Sequence, residues 1–148
     1  IKAAYQKAPF FKEAFPIIEE GISFSHQNLF SYILQTLKKI CEFLNIQTEI
    51  IISSTINIDH NLKAQDKVIA LCQVLKADQY INPIGGVELY SKEAFQEKGI
   101  QLNFIKMKPI EYKQFNNEFV PSLSIIDVMM FNPRVKIQEY LDFFCDLI

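Results

Sequence analysis

A chain of 148 residues, 49% of them hydrophobic, is long enough to enclose one good-sized core and too short for two ordinary domains, so a single domain over 1–148 is expected. Its 15 basic and 17 acidic side chains leave a net charge of -2 with no stripe of Lys and Arg that could neutralise a run of phosphates, which argues against nucleic acid as a partner. The longest apolar stretches, Ile50-Ile51-Ile52 and Val128-Met129-Met130-Phe131, fall far short of the roughly 20 residues that span a bilayer, and no signal peptide opens the chain, so a soluble protein without integral membrane contact is expected.

In chain order, Pro9 suits the first turn of a helix running towards Glu20. Pro16 lacks the amide hydrogen the helix ladder needs and predicts a kink or restart, and Gly21 is the expected end. From about Asn28 to Leu44 the apolar residues Phe30, Ile33, Leu34, Leu37, Ile40, Cys41 and Leu44 recur at three and four residues, the mark of one helix face. The β-branched run Ile50-Ile51-Ile52, stopped by Ser53-Ser54, predicts a first buried strand. Asn61 can cap the next helix, with Leu62, Ile69, Leu71, Cys72 and Leu75 facing inward. Tyr80-Ile81 reads as a second strand, closed by Asn82-Pro83 and Gly85-Gly86. A short helix from Lys92 to Lys98 ends at Gly99, and Leu102 to Ile105 alternates as a third strand. Strands separated by helical crossovers are normally parallel neighbours, so the expected fold is α/β: a small parallel sheet of about three strands flanked by helices, with a helical C-terminus. A long loop, Pro109 to Pro121, precedes two last helices; Asn132-Pro133 starts the second, whose inner stripe is Ile137, Tyr140, Leu141, Phe144 and Ile148.

In an open parallel sheet, ligands bind beyond the carboxyl ends of the strands, where the outgoing loops converge. That rule selects Ser53-Ser54-Thr55, the stretch Asn82 to Gly86, and Lys106 to Lys108. The Gly85-Gly86 pair could let backbone amides approach a phosphate or carboxylate, but it lacks the spacing of a nucleotide motif, and a plain turn admitting positive φ explains it too. Tyr90 could flank a ligand or simply pack. Ser53 and Ser54, near Asp59 and His60, superficially suggest a nucleophile with its base; no nucleophile elbow surrounds them, and turn or capping roles compete. His26 and His60 sit in polar stretches near helix starts, and neither a metal site nor a cofactor is expected. Cys41, Cys72 and Cys145, odd in number and widely spaced, suggest neither disulfides nor a zinc knuckle and point to a reducing, cytoplasmic compartment. Asp127 lies among Ile125, Ile126 and Val128, so it is expected to be buried with partners. That makes it the acidic residue most worth testing for catalysis, against the plainer reading of a cap or ion pair with Ser124 close by. The 109–121 loop mixes three aromatics with amides and charges, a set that suits sugars and that an ordered, core-anchored loop would also show.

In these residues the chain resembles WbqC-like proteins, and the likeness runs over nearly its whole length. It rests on Ala4-Tyr5-Gln6-Lys7-Ala8-Pro9-Phe10-Phe11, Ser53-Ser54, the stretch from Ala77 through Tyr80 to Gly85-Gly86 and Tyr90, then Gly99-Ile100, Tyr112 and Gln114. It continues through Phe119-Val120-Pro121-Ser122-Leu123-Ser124-Ile125-Ile126-Asp127 to Phe131-Asn132. The family typically carries a further N-terminal portion with Gln-Pro and Pro-Trp motifs; this chain starts at Ile1 on a structured motif, so the parent protein is expected to continue upstream. After Phe131-Asn132 a Cys-Gly is common in the family, whereas here Pro133-Arg134 follows.

The resemblance implies bacterial surface-polysaccharide (O-antigen or lipopolysaccharide) biosynthesis, with a transferase adding an amino-acid or acyl group to a sugar or nucleotide sugar. Asp127 is then the candidate catalytic residue, and Tyr5, Lys7, Ser53, Asn82, Gly85, Gly86, Tyr90, Tyr112 and Gln114 the candidate substrate-binding residues. The alternative is a non-catalytic module that binds a glycan or scaffolds a biosynthetic complex. The expected partner is a small-molecule sugar or nucleotide sugar, with a homo-oligomer or a biosynthetic complex left open.

Overall fold

The structure, a computed structural model, describes residues 1–116 and 118–148. Asn117, one of the amides of the 109–121 loop, lies outside the described residues. In chain order the helices are α1 (Lys2–Tyr5), α2 (Phe11–Ser23), α3 (Leu29–Phe43), α4 (Ala64–Val74), α5 (Lys92–Gln96), α6 (Ile125–Phe131) and α7 (Arg134–Phe143). The strands are β1 (Gln79–Pro83), β2 (Gln101–Met107) and β3 (Cys145–Leu147), with 3-10 turns at Ser53–Thr55 and Ile84–Leu89. The chain divides into two compact units, one made of Ile1–Thr48 and Pro109–Phe144, the other of Glu49–Lys108 and Cys145–Ile148.

The first unit is helical. In α2 the buried residues Ala14, Ile18 and Gly21 fall on one stripe. Pro16 neither breaks nor restarts this helix, because so near the N-terminus it removes a single ladder bond. Gly21, expected to end the helix, lies inside it: a Cβ there would stand 3.3 Å from the Thr36 methyl of α3, so the missing side chain lets the two helices approach. Asn28 caps α3, its side-chain oxygen accepting from the Ser31 amide at 3.1 Å. The apolar stripe of α3 is buried only towards its C-terminal end, around Ile40, Phe43 and Leu44; Phe30, Ile33 and Leu37 are exposed, contrary to the single inner face expected. Every residue of α6 from Asp127 to Phe131 is buried, so this short helix is the centre of the unit and takes its one acidic residue into the core with it. Arg134, where the family pattern departs, lays its guanidinium over the Phe43 ring at 4.5 Å.

The second unit is α/β. Its three-stranded sheet has the order β1-β2-β3. The pair β1 and β2 is parallel, in register from Gln79 opposite Gln101 to Pro83 opposite Ile105. On β2, Leu102 and Phe104 alternate into the core beside Ile69, Cys72 and Phe95 from the covering helices. Ser91 caps α5, accepting from the Ala94 amide at 3.3 Å, and Gly99 follows with φ +73°, the conformation expected of it.

One of the expected strand assignments is corrected, and a strand that was not expected appears near the C-terminus. Ile50-Ile51-Ile52 pairs with no strand among the described residues, although Ile52 has extended backbone; Ile51 is exposed, and the run ends in the 3-10 turn closed by Thr55 Oγ1 donating to the Ile52 carbonyl at 2.8 Å. A β-branched run has the backbone preference of a strand, but pairing requires a neighbouring edge. The third strand instead comes from the C-terminus: α7 stops at Phe143, and β3 pairs antiparallel with β2, Lys106 opposite Asp146. The sheet is therefore mixed. Of the Lys106 to Lys108 segment expected beyond the sheet, Lys106 and Met107 belong to β2 itself, and Lys108 forms an ion pair with Asp146 at 2.9 Å. Asn61 does not cap α4; it sits in a turn in which its amide hydrogens reach Asp59 Oδ1 at 2.9 and 3.0 Å. Asn132 likewise does not cap α7, its side chain instead donating to the Val128 carbonyl at 3.0 Å.

Candidate functional site

In the first unit, Asp127 is 3% exposed and accepts three side-chain hydrogen bonds. The Tyr5 hydroxyl, at the end of α1, donates to Oδ1 at 2.9 Å. The Tyr112 hydroxyl donates to Oδ2 at 2.7 Å, and the Gln114 side-chain amide to the same oxygen at 2.8 Å. The burial anticipated from the apolar neighbours of Asp127 is met, but the carboxylate does not act as a cap: Ser124 alone fills that role, its Oγ accepting from the Ile126 amide at 3.3 Å. Desolvating a carboxylate is costly unless its oxygens are bonded, and here dipoles do that work.

Gln114 also fastens the loop. Its Nε2 donates to the Val120 carbonyl at 3.1 Å and its Oε1 accepts from the Val120 amide at 2.8 Å, so one side chain pairs with the backbone six residues on. Within and beside this loop Phe115 (φ 46°) and Ser122 (φ 59°) hold the left-handed conformation that non-glycine residues seldom adopt. Such strain persists because surrounding contacts impose it: the Phe115 ring meets Phe131 edge-on at 4.7 Å, and Tyr112 meets Phe119 at 5.2 Å. Beside Asp127 opens a cavity of about 210 Å³, with Tyr5, Gln114, Phe115, Glu118, Asp127 and Phe131 in its wall.

Burial above all, then the bond to Asp127 and its charge, push the Tyr5 hydroxyl from the ordinary 10.0 up to about 12. Burial first and the bond to Asp127 second also raise Tyr112; the bond to Gln114 opposes them and outweighs the further upward push of the Asp127 charge. A raised pKa in the folded state means that the stabilisation is complete below the unfolded value and is lost as pH climbs through the folded one. The protein is therefore expected to lose stability as pH rises from 10.0 towards 12. Tyrosinate absorbance followed alongside circular dichroism checks this: Tyr5 and Tyr112 should ionise only as the fold is lost, and ionisation near the ordinary value in the intact protein would contradict the geometry.

A second group of candidate residues lies in the second unit. Asn82 at the end of β1, Gly86 in the following 3-10 turn and Tyr90 pack together: a Cβ on Gly86 would collide with the Asn82 side-chain amide and stand 3.4 Å from the Tyr90 ring. Tyr90 and Tyr80 frame the fully buried Phe95, at 6.0 and 5.4 Å between ring centroids. Burial first, and its bond to Tyr90 second, raise the Tyr80 hydroxyl to about 12. The positive φ expected at the glycine pair is absent; Gly86 is needed for close approach, and Gly85 has open space around it. Gly86→Ala is therefore expected to lower stability by about 1 kcal/mol or more, whereas Gly85→Ala leaves it nearly unchanged. Equal unfolding midpoints for the two variants would refute this assignment.

The structure thus gathers Tyr5, Tyr112, Gln114 and Asp127 in one unit and Asn82, Gly86 and Tyr90 in the other. Lys7, Ser53 and Gly85 are exposed and belong to neither group. Ser53 lies in the exposed 3-10 turn, and Asp59 is occupied by the Asn61 turn, so the nucleophile-and-base arrangement is not formed among the described residues. No group of three His, Cys, Asp or Glu side chains among the described residues could hold a metal ion. Phe115 and Glu118 belong to the loop singled out in the sequence as suited to sugars, whereas Phe131 was passed over as part of a site wall. Phe131 could have been found, because it follows Asp127 by four residues and so shares its helix face.

No helix among the described residues is long and apolar enough to cross a membrane. Compared with known proteins, residues 1–139 match the family model described as the WbqC-like protein family. No curated protein and no solved structure matches the chain.

Proposed function

We propose, starting from the fact that the chain belongs to the WbqC-like protein family, that it serves surface-polysaccharide biosynthesis as a transferase that forms an amide on a sugar or nucleotide sugar. The observation that carries this reading is the Asp127 carboxylate, buried, held by three donors and open to a cavity. In that reaction Asp127 holds the acceptor amine. One proton passes from the ammonium to Asp127, which frees the nitrogen lone pair. The new C–N bond then forms as the bond between the acyl group and its leaving group breaks, and the second proton departs with the leaving group. Tyr5, Tyr112 and Gln114 fix the carboxylate in place so that no reorganisation is needed when charge shifts. The activated acyl or aminoacyl donor supplies the electrophile. The odd number and wide spacing of Cys41, Cys72 and Cys145 accord with a reducing, cytoplasmic setting, where such donors are made.

The rival reading, a non-catalytic glycan-binding or scaffolding module, is favoured by the same hydrogen bonds seen differently: Gln114 ties Asp127 to the loop as a purely structural anchor would. Turnover separates the two. The protein is incubated with a nucleotide-activated amino sugar and an acyl or aminoacyl donor, and amide product is followed by mass spectrometry. Product from the natural protein, reduced about 100-fold or more in a folded Asp127→Asn variant, is the expected result. Full turnover by that variant would remove Asp127 from the chemistry.

A further inference from the structure

The walls of the Asp127 cavity favour one kind of ligand group. Tyr5, Phe115 and Phe131 present aromatic surface, Glu118 adds a carboxylate, and among the described residues no Lys, Arg or His lines the cavity. Asp127 itself is buried, and no ion pair to it exists among the described residues; its bonded partners are two hydroxyls and an amide, all without charge. A carboxylate has room for about four donors, and three are in place, two of them on Oδ2 and one on Oδ1. Among the described residues one acceptor direction on Oδ1 therefore remains. A buried anion without a cation, beside aromatic rings whose faces attract cations, is complementary to a positive charge.

We infer that this cavity binds the protonated amine of its ligand, a primary ammonium carried on an amino sugar or on the head of an amino acid. At about 210 Å³ the cavity is smaller than the roughly 300–1,000 Å³ of sites that enclose a whole drug-sized ligand, so it holds the ammonium end while the rest of the molecule lies outside. This deepens the transferase reading, and rests on it only for the identity of the site.

The test is binding by the intact chain, read on the Gln114 side-chain amide and the Asp127 backbone amide by heteronuclear NMR. The probes are glucosamine against N-acetylglucosamine, and glycinamide against N-acetylglycinamide; each pair differs in the charge of one nitrogen. At least one amine is expected to bind about tenfold or more tightly than its acetylated form, the size of one charge-assisted contact in a desolvated site. A response to glucosamine alone assigns the ammonium to a sugar, and a response to glycinamide alone assigns it to an amino acid. Because Asp127→Asn can perturb folding, Glu118→Gln on the exposed rim is the second variant, expected to weaken amine binding about threefold. Equal affinity for charged and acetylated forms, or no response to either amine, overturns the inference. Binding and catalysis are distinguishable: amine binding without turnover defeats only the transferase reading, and turnover without charge discrimination defeats the ammonium pocket and the proton-accepting role of Asp127 while the transferase activity stands.

Discussion

Asp127→Ala is expected to lower the stability of the first unit by about 3 kcal/mol or more, the largest effect of any polar substitution in the protein. The change leaves the hydroxyls of Tyr5 and Tyr112 and one amide hydrogen of Gln114 without their common acceptor. A stranded buried donor such as the Gln114 amide costs about 1–3 kcal/mol and the half-buried hydroxyls of Tyr5 and Tyr112 less, partly recovered if water enters the adjacent cavity. Asp127→Asn keeps the shape and one carbonyl oxygen, so its effect should be smaller, about 1–2 kcal/mol, which makes it the right variant for activity. Urea unfolding of the three proteins gives the comparison. An Asp127→Ala midpoint equal to that of the natural protein would mean that the carboxylate organises nothing.

Phe95→Ala should cost about 3–5 kcal/mol in the second unit. Phe95 is 0% exposed, stacks against Tyr80 at 5.4 Å and meets Tyr90 edge-on, so its removal opens a ring-sized void beneath the sheet. The void is hard to refill, because Leu102 and Phe104 are fixed by the pairing of β2 with β1, and Phe104 also by backbone bonds to Ile148 on the other edge. Phe95→Leu, which restores most of the volume, should recover more than half of the loss. Equal unfolding midpoints for Phe95→Ala and Phe95→Leu would show that the ring is not a packing centre.

Some helix ends and short-range periods were open to reading from the chain itself: α3 starts beside Asn28 and α5 ends before Gly99, as expected. The ends expected at Gly21, Asn61 and Asn132 were not, because helix packing and turn bonds claim those residues. The alternation of Leu102 and Phe104 is a property of one strand. Pairing is not local. Ile50-Ile51-Ile52 has the composition of a strand without an edge to join, while Cys145–Leu147, with little strand character of its own, acquires it by lying along β2. The α3 stripe illustrates the converse: periodicity fixes which residues share a face, but Phe30 and Ile33 show that it does not fix what covers that face.

The candidate site has the same division. The apolar neighbours of Asp127 predicted its burial, since a short helix buried on all sides takes its carboxylate inward. The partners could not be read from spacing: Tyr5 lies 122 residues away, and Tyr112 and Gln114 arrive on a loop without any regular period. Their appearance in the family pattern pointed to them as residues of interest without saying that they meet. The strand-end rule directed attention to Gly85-Gly86, where Gly86 proves to serve packing against Asn82, and away from the helical unit that holds the buried carboxylate.

The convergence on Asp127 is tested most directly by a double-mutant cycle joining Tyr112→Phe and Asp127→Ala, read from urea unfolding. The two side chains are expected to be coupled by about 1–2 kcal/mol, because each single change removes the same 2.7 Å bond. Losses that add to within about 0.5 kcal/mol would mean that Tyr112 and Asp127 act independently, and that no shared carboxylate centre exists in this fold.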